Sequence, residues 1–246
     1  MTDDITSPQI PQGSEVRWYA GGTYTTESHT VTTPEASAGG FALAAAAKAD
    51  YGSVWACKVV GDVRTPLAVS EKVSASVWAT ETTGTNFVSY AGITLSDVIE
   101  LAYVEVTTVL THIATCQDVA FTGAADTSSV SVHGQASKIQ TTGAIENKCT
   151  LNQLAYTLDF VSKVYGDLVD TVNTTTPMKK FSNKTHAFRT VGCLVGKRRS
   201  ATSTIIRKWF LMNAQGTNAN HNFPTTAKYN DSFTFQLSHY MDVILE

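Results

Sequence analysis

Charge is scarce in this chain: Lys, Arg, Asp and Glu make up 16 % of its 246 residues, against about 25 % in ordinary soluble domains. A surface short of charge and rich in Thr, Ser and Asn is what results when much of it lies against other subunits. Long apolar runs are missing as well. The longest, Phe41 to Ala47, is mostly Ala and far below the ~20 residues of a membrane-spanning helix. Met1 to Pro11 carries two Asp and no apolar centre, which does not read as a secretory signal. The expectation is a soluble product with no membrane anchor, made in a cytoplasm.

Close cysteine spacing is absent too. Cys57, Cys116, Cys149 and Cys193 form no CxxC pair, so four buried free thiols are expected rather than a disulfide framework or a zinc site. Of the six histidines, His133, His186, His221 and His239 show no metal-ligand spacing. Gly39 and Gly40 precede a helix candidate, but no nucleotide-binding fingerprint surrounds them. His112, Cys116 and Asp118 invite a thiol nucleophile with its base. On a strand, however, positions four apart lie roughly 13 Å from each other, too far for a hydrogen bond. The chain reads as no enzyme and as needing no cofactor or metal.

What is present is β pattern. Between Phe233 and Leu245 the odd positions are Phe233, Phe235, Leu237, His239, Met241, Val243 and Leu245, while the even ones are mostly polar. A period of two marks a strand with one buried face. Such a run would reach roughly 40 Å, about twice the usual strand, so it either bends between two sheets of its subunit or leaves the subunit to be covered by another. Further strands are expected at Val54 to Val60, Val73 to Ala79, Phe87 to Thr94, Ser129 to His133, Ala187 to Val195 and Thr202 to Met212. Helical turns are expected at Phe41 to Lys48, near Ser96 and at Asp167 to Val172. Residues 1–14 read as a flexible arm, and 15–246 as a single β-sandwich domain.

Acidic residues are wholly absent between Thr171 and Asn230. That window holds ten cations: Lys179, Lys180, Lys184, Arg189, Lys197, Arg198, Arg199, Arg207, Lys208 and Lys228. The rest of the chain keeps eight cations against all 21 acids, a net −13. Three readings compete. The basic segment folds against the acidic face of its own subunit, or its Lys197, Arg198, Arg199 tip contacts phosphates, or it meets the acidic surface of a neighbouring copy in a head-to-tail contact. The overlong final strand favours the last. Trp209, mid-strand between Arg207 and Leu211, then suits a residue sealing a subunit contact.

The order of features from Leu151 to Leu237 resembles the C-terminal half of the major tail protein of long-tailed bacteriophages. Those features are an alternating strand (LNQLAYTLDFV), a Thr-rich loop (TVNTTTPMKKFSNKTH), two long strands around a basic turn (AFRTVGCLVGKRRSATSTIIRKWFLM) and a closing strand (YNDSFTFQLS). The resemblance implies a mainly β fold, a β-sandwich or barrel with one short flanking helix, an extended N-terminal arm and a long inter-subunit loop, here Thr174 to Thr185. It implies hexameric rings stacked into a tube around the path of viral DNA, with other tail proteins as partners and the virion tail as location. The subunit interface expected on this reading comprises Lys179, Lys180, Lys184, Arg189, Lys197, Arg198, Arg199, Arg207 and Trp209. Another virion component, a capsid decoration or receptor-binding protein, is the alternative, and a cysteine hydrolase using Cys116 a third.

Overall fold

The computed structural model describes residues 15–21, 23–45, 51–80, 82–105, 108–131, 138–152, 154–157, 160, 163–164, 168–173, 178–182, 190–199, 205–220 and 231–245, with backbone alone for 124–131, 138–145, 168–173, 178–182 and 220. The chain is mainly β. It begins with β1 (Val16–Gly21), β2 (Thr25–Thr30), the helix α1 (Thr33–Ala38) and β3 (Phe41–Ala42). Next come β4 (Trp55–Val60), β5 (Val63–Pro66), β6 (Ser70–Ser74), β7 (Val77–Trp78), β8 (Phe87–Ser89) and β9 (Val98–Tyr103). β10 (Thr111–Cys116), β11 (Asp118–Ser131), β12 (Lys138–Asn152), β13 (Ala155–Tyr156), β14 (Leu168–Asn173) and β15 (Met178–Ser182) follow. The chain closes with β16 (Thr190–Arg199), β17 (Ile205–Asn220), β18 (Ser232–Leu237) and β19 (His239–Ile244).

The principal sheet runs β11-β12-β18-β17-β16-β1-β10-β13, with β19 beside β17. β11, at one end, and β10, next to β13 at the other end, are consecutive in the chain with only Gln117 between them: β10 pairs with β1 and β13, and β11 pairs with β12. The sheet therefore curls on itself, and its inner face holds one core containing Trp18, Cys116, Cys149, Leu194, Trp209, Leu211, Phe233 and Phe235. Phe233, Phe235 and Leu237 alternate with solvent-side neighbours along β18. Burial of each contributes about 2 kcal/mol.

Between β1 and β10 the chain builds a second, smaller β structure from two four-stranded sheets, β2-β9-β4-β5 and β3-β8-β6-β7. Val31, Phe41, Val88, Ile99, Leu101 and Tyr103 are in its core. A third cluster joins the two parts: Ala102 and Val104 meet Cys193, Val195, Phe210 and Met212, with Trp55, Met241 and Val243 packed on them.

Several local expectations are corrected. α1 lies at Thr33–Ala38, upstream of the Ala-rich helix candidate, whose Phe41 and Ala42 form β3 and whose 46–48 fall outside the described residues. Its signals were present: Pro34 at the first turn, and Glu35 accepting from the Thr32 backbone N–H at 2.8 Å and from its hydroxyl at 2.8 Å. Gly39, at φ 71°, is its left-handed C-cap and does not lead into a helix. Val73 to Ala79 is two strands turning at 75–76, and Leu168–Asn173 is strand where a short helix was expected. The final ribbon is broken at Ser238, yet both halves run along β17 of the same chain: β18 beside 215–220 and β19 beside 207–212.

Candidate subunit interface

Lys197, Arg198 and Arg199 are the last residues of β16, the first two paired on both sides and Arg199 with Ile205 alone, and not the exposed tip expected from sequence. Lys197 lies between Arg17 of β1 and Lys208 of β17, and Arg198 lies between Val16 and Arg207. Directly opposed residues in an antiparallel sheet share a face, so three cations stand side by side on one face. Arg17 is paired with Glu15 at 2.8 Å. Lys208 is fully buried, its Nζ 4.1 Å from the centre of the Tyr51 ring. A cation held on an aromatic face retains part of the stabilisation it loses on leaving water.

Strand alternation divides the basic segment between two faces. Lys208, Phe210 and Met212 point to the same side as Met241 and Val243, and the inserted β structure is seated there. Trp55 packs against His239 with ring centroids 4.5 Å apart. Gly52, at φ 78°, comes so close to Val243 that a Cβ would stand 3.0 Å from its methyl carbon. The odd-numbered face of the ribbon is thus covered by another part of its own chain, correcting the expectation that its far end continues onto a neighbour. The opposite face stays open at that end, with Tyr240 39 % and Ile244 66 % exposed.

Arg198, Arg207 and Trp209 lie on this second face, at the mouth of the curled sheet. Trp209 is 4 % exposed and belongs to the core of its own subunit, stacked between Trp18 at 6.3 Å and Phe121 at 6.4 Å. Trp18 can lie flat over β16 because Gly196 has no side chain; a Cβ there would meet its ring at 2.8 Å. Arg207 sits 5.2 Å from the Trp209 ring centre and grips Asp242 with two nitrogens, Nε at 2.7 Å. Two buried donors here, Trp209 Nε1 and Arg198 Nε, have no hydrogen-bond partner among the described residues.

Lys179 and Lys180 stand on β15, opposite Thr171 and Asp170 of β14; Lys184 and Arg189 lie outside the described residues. The expected inter-subunit loop, Thr174 to Thr185, overlaps this hairpin, which joins no other described strand. A second two-stranded arm extends from the principal sheet. β12 pairs with β18 over 147–151, whereas β11 and β12 stay paired to 131 and 138, an overhang of roughly 30 Å.

Cys116 is not poised as a nucleophile. It is buried and takes a hydrogen bond from Trp18 Nε1 at 3.1 Å, and burial pushes its thiol up to about 12, the wrong direction for a reactive thiolate. His112 instead contacts the Thr115 hydroxyl at 3.2 Å. All four cysteines are free and buried. His133, His186 and His221 lie outside the described residues, and among the described residues no cluster of three metal-ligating side chains occurs. No described helix is long and apolar enough to cross a membrane.

No family model and no curated protein matches the chain by sequence. Solved structures that resemble it weakly include the following two. One is an extracellular contractile injection system, the PVC sheath–tube complex in its extended state, at 10 % identity and TM-score 0.30, covering 54 % of this chain and 88 % of that one. The other is the anti-feeding prophage baseplate, at 8 % identity and TM-score 0.30, covering 56 % and 86 %. At this level of similarity, function is read from the chain's own geometry.

Sequence reasoning missed Arg17, Tyr51, Phe121, Tyr240 and Asp242, the partners and neighbours of the basic segment. Each comes from a strand or turn distant in sequence, and only register brings them together.

Proposed function

We propose that this chain is a virion structural protein that self-assembles into stacked, hexameric rings forming a phage tail tube through which DNA is delivered. The observation that carries the reading is the pair of two-stranded arms, β14–β15 and the overhanging part of β11–β12. An isolated hairpin is marginally stable in water, and its bare edges invite pairing. Arms of this kind gain cover from another subunit. On this reading Lys179 and Lys180 dock with the β14–β15 arm, Lys184 and Arg189 follow it, and Lys197, Arg198, Arg199 and Arg207 lie near the contact made by the mouth of the curled sheet. Trp209 supports that mouth from within. The tube would sit in the virion tail, assembled in the host cytoplasm with other tail proteins as neighbours.

Negative-stain micrographs of the concentrated protein test this. Open-ended tubes are expected, and a variant lacking 126–141 should keep its fold while losing them. A wild-type sample that stays monomeric at high concentration overturns the reading. Small closed oligomers would favour a capsid decoration or receptor-binding role. That second reading draws support from the inserted β structure, whose edge strands expose Val63 and, on β7, Trp78 at 63 %.

A further inference from the structure

β19 has a neighbour on one side only: it pairs with β17 and with no other described strand. Leu245 N donates to Ile206 O at 3.0 Å, which fixes the phase of the ladder. His239, Met241 and Val243 therefore turn their backbone groups toward β17, while Tyr240, Asp242 and Ile244 turn theirs away from it. Those outward N–H and C=O groups meet no strand among the described residues. Solvent reaches this edge, since Ile244 is 66 % and Tyr240 39 % exposed. A groove of about 500 Å³ lies beside it, lined by Met241, Asp242 and Val243 of β19 and by 67–70 and Trp78 of the inserted structure. An exposed strand edge next to apolar side chains accepts an added strand, the main chain supplying the hydrogen bonds.

The strand that fits belongs to β12. β18 pairs with it over 147–151, the chain then breaks at Ser238 to run along β17 as β19, and β12 continues to Lys138 without that neighbour. The pairing that β12 loses and the edge that β19 presents are two halves of one antiparallel ladder. Continuing the Asn147–Leu237 register sets 144, 142 and 140 opposite Tyr240, Asp242 and Ile244, the residues whose backbone faces outward. Within one copy these two edges do not pair. The exposed strands of the inserted structure are poorer occupants: β5 has four residues and ends in Pro66, and β7 has two, whereas 138–146 is free of proline. We propose that the 138–146 edge of β12 in one copy adds to β19 of a second copy as an antiparallel strand beside the groove. The contact is heterologous, so it propagates from copy to copy. It rests on the self-assembly reading above and names where the β11–β12 arm lands.

The experiment uses full-length protein, with sedimentation and electron microscopy reading assembly and thermal melts checking the fold. Ile244→Pro removes an outward N–H, keeps every bond to β17 and puts a ring in the path of the incoming strand. It should melt like wild type and self-associate roughly tenfold more weakly or worse. A second variant, Gln140→Cys with Ile244→Cys, should form disulfides between copies on mild oxidation, the four native thiols being buried. Cross-linked multimers together with the weakened Ile244→Pro support the contact. Disulfides confined to single copies, or none at all, overturn it. Tubes that form equally well in wild type and Ile244→Pro overturn the contact and leave the tube reading standing. Small closed oligomers that cross-link support the contact and overturn the tube. A wild-type protein that never associates overturns both.

Discussion

The imidazole of His239 lies 4.5 Å from the indole of Trp55 at an angle of 59°, so the last strand of the chain is capped by a structure inserted between its first strand and its tenth. One anchor sits at each end of β19: His239 on Trp55, and Lys208 under Tyr51. Between them Met241 and Val243 supply apolar contact. The seam therefore holds an imidazole among apolar and aromatic groups.

Burial lowers the pKa of His239, the nearby Glu100 offsetting only part of this, and burial with the charge of Arg17 lowers that of His112. The unfolded value is about 6.5. Both rings therefore contribute stability that is full above that pH and is lost as pH falls through their folded values. Urea melts from pH 8 to pH 5 should show falling stability, and His239→Phe should flatten part of the slope. An unchanged slope would remove His239 from the account.

Gly196→Ala should be costly. The new methyl would meet the rigid, fully buried Trp18 ring at 2.8 Å, and overpacking of this kind costs about 3 kcal/mol. Denaturant titration checks it; a loss below about 0.5 kcal/mol, the level of an ordinary surface change, would show that the ring moves freely.

Asp97 is the polar hub of the inserted structure. It receives Lys58 Nζ at 2.6 Å, Tyr90 Oη at 2.7 Å and the Thr94 hydroxyl at 2.7 Å. Burial alone would raise its pKa, but these partners outweigh that and hold the carboxyl well below the usual range. Asp97→Asn should cost about 3 kcal/mol, as expected when one member of a buried pair is removed. In wild type the same contribution should be present above pH ~4 and disappear on acidification below it. Fluorescence-detected melts of both proteins from pH 7 to pH 3 read both effects.

The thiols should be silent in the native state. Burial pushes Cys193 up to about 11 and Cys116 up to about 12, and raises Cys149 and Cys57 as well. Iodoacetamide at pH 8 should leave the folded protein unmodified and label four sites after unfolding in urea. Rapid labelling of Cys116 in the folded protein would revive the nucleophile reading.

Strand content was legible because a period of two needs only neighbouring residues: Phe233, Phe235 and Leu237 face the core as their spacing requires. The helix at Thr33–Ala38 was missed in favour of the Ala run that follows it, although its capping box, Thr32 with Glu35, and Pro34 are local signals. The charge window was fixed by composition alone. What covers each face was not, because it depends on register between strands far apart in sequence. Asp242 reaches Arg207 across β17 and β19, Tyr51 reaches Lys208 from an inserted structure, and Trp18 reaches Trp209 over a glycine. Alternation declares that a side must be buried, but the chain's partner for that side is chosen only when nonlocal strands pair, and here tertiary packing gave the odd face of the ribbon to its own subunit and left the even face open.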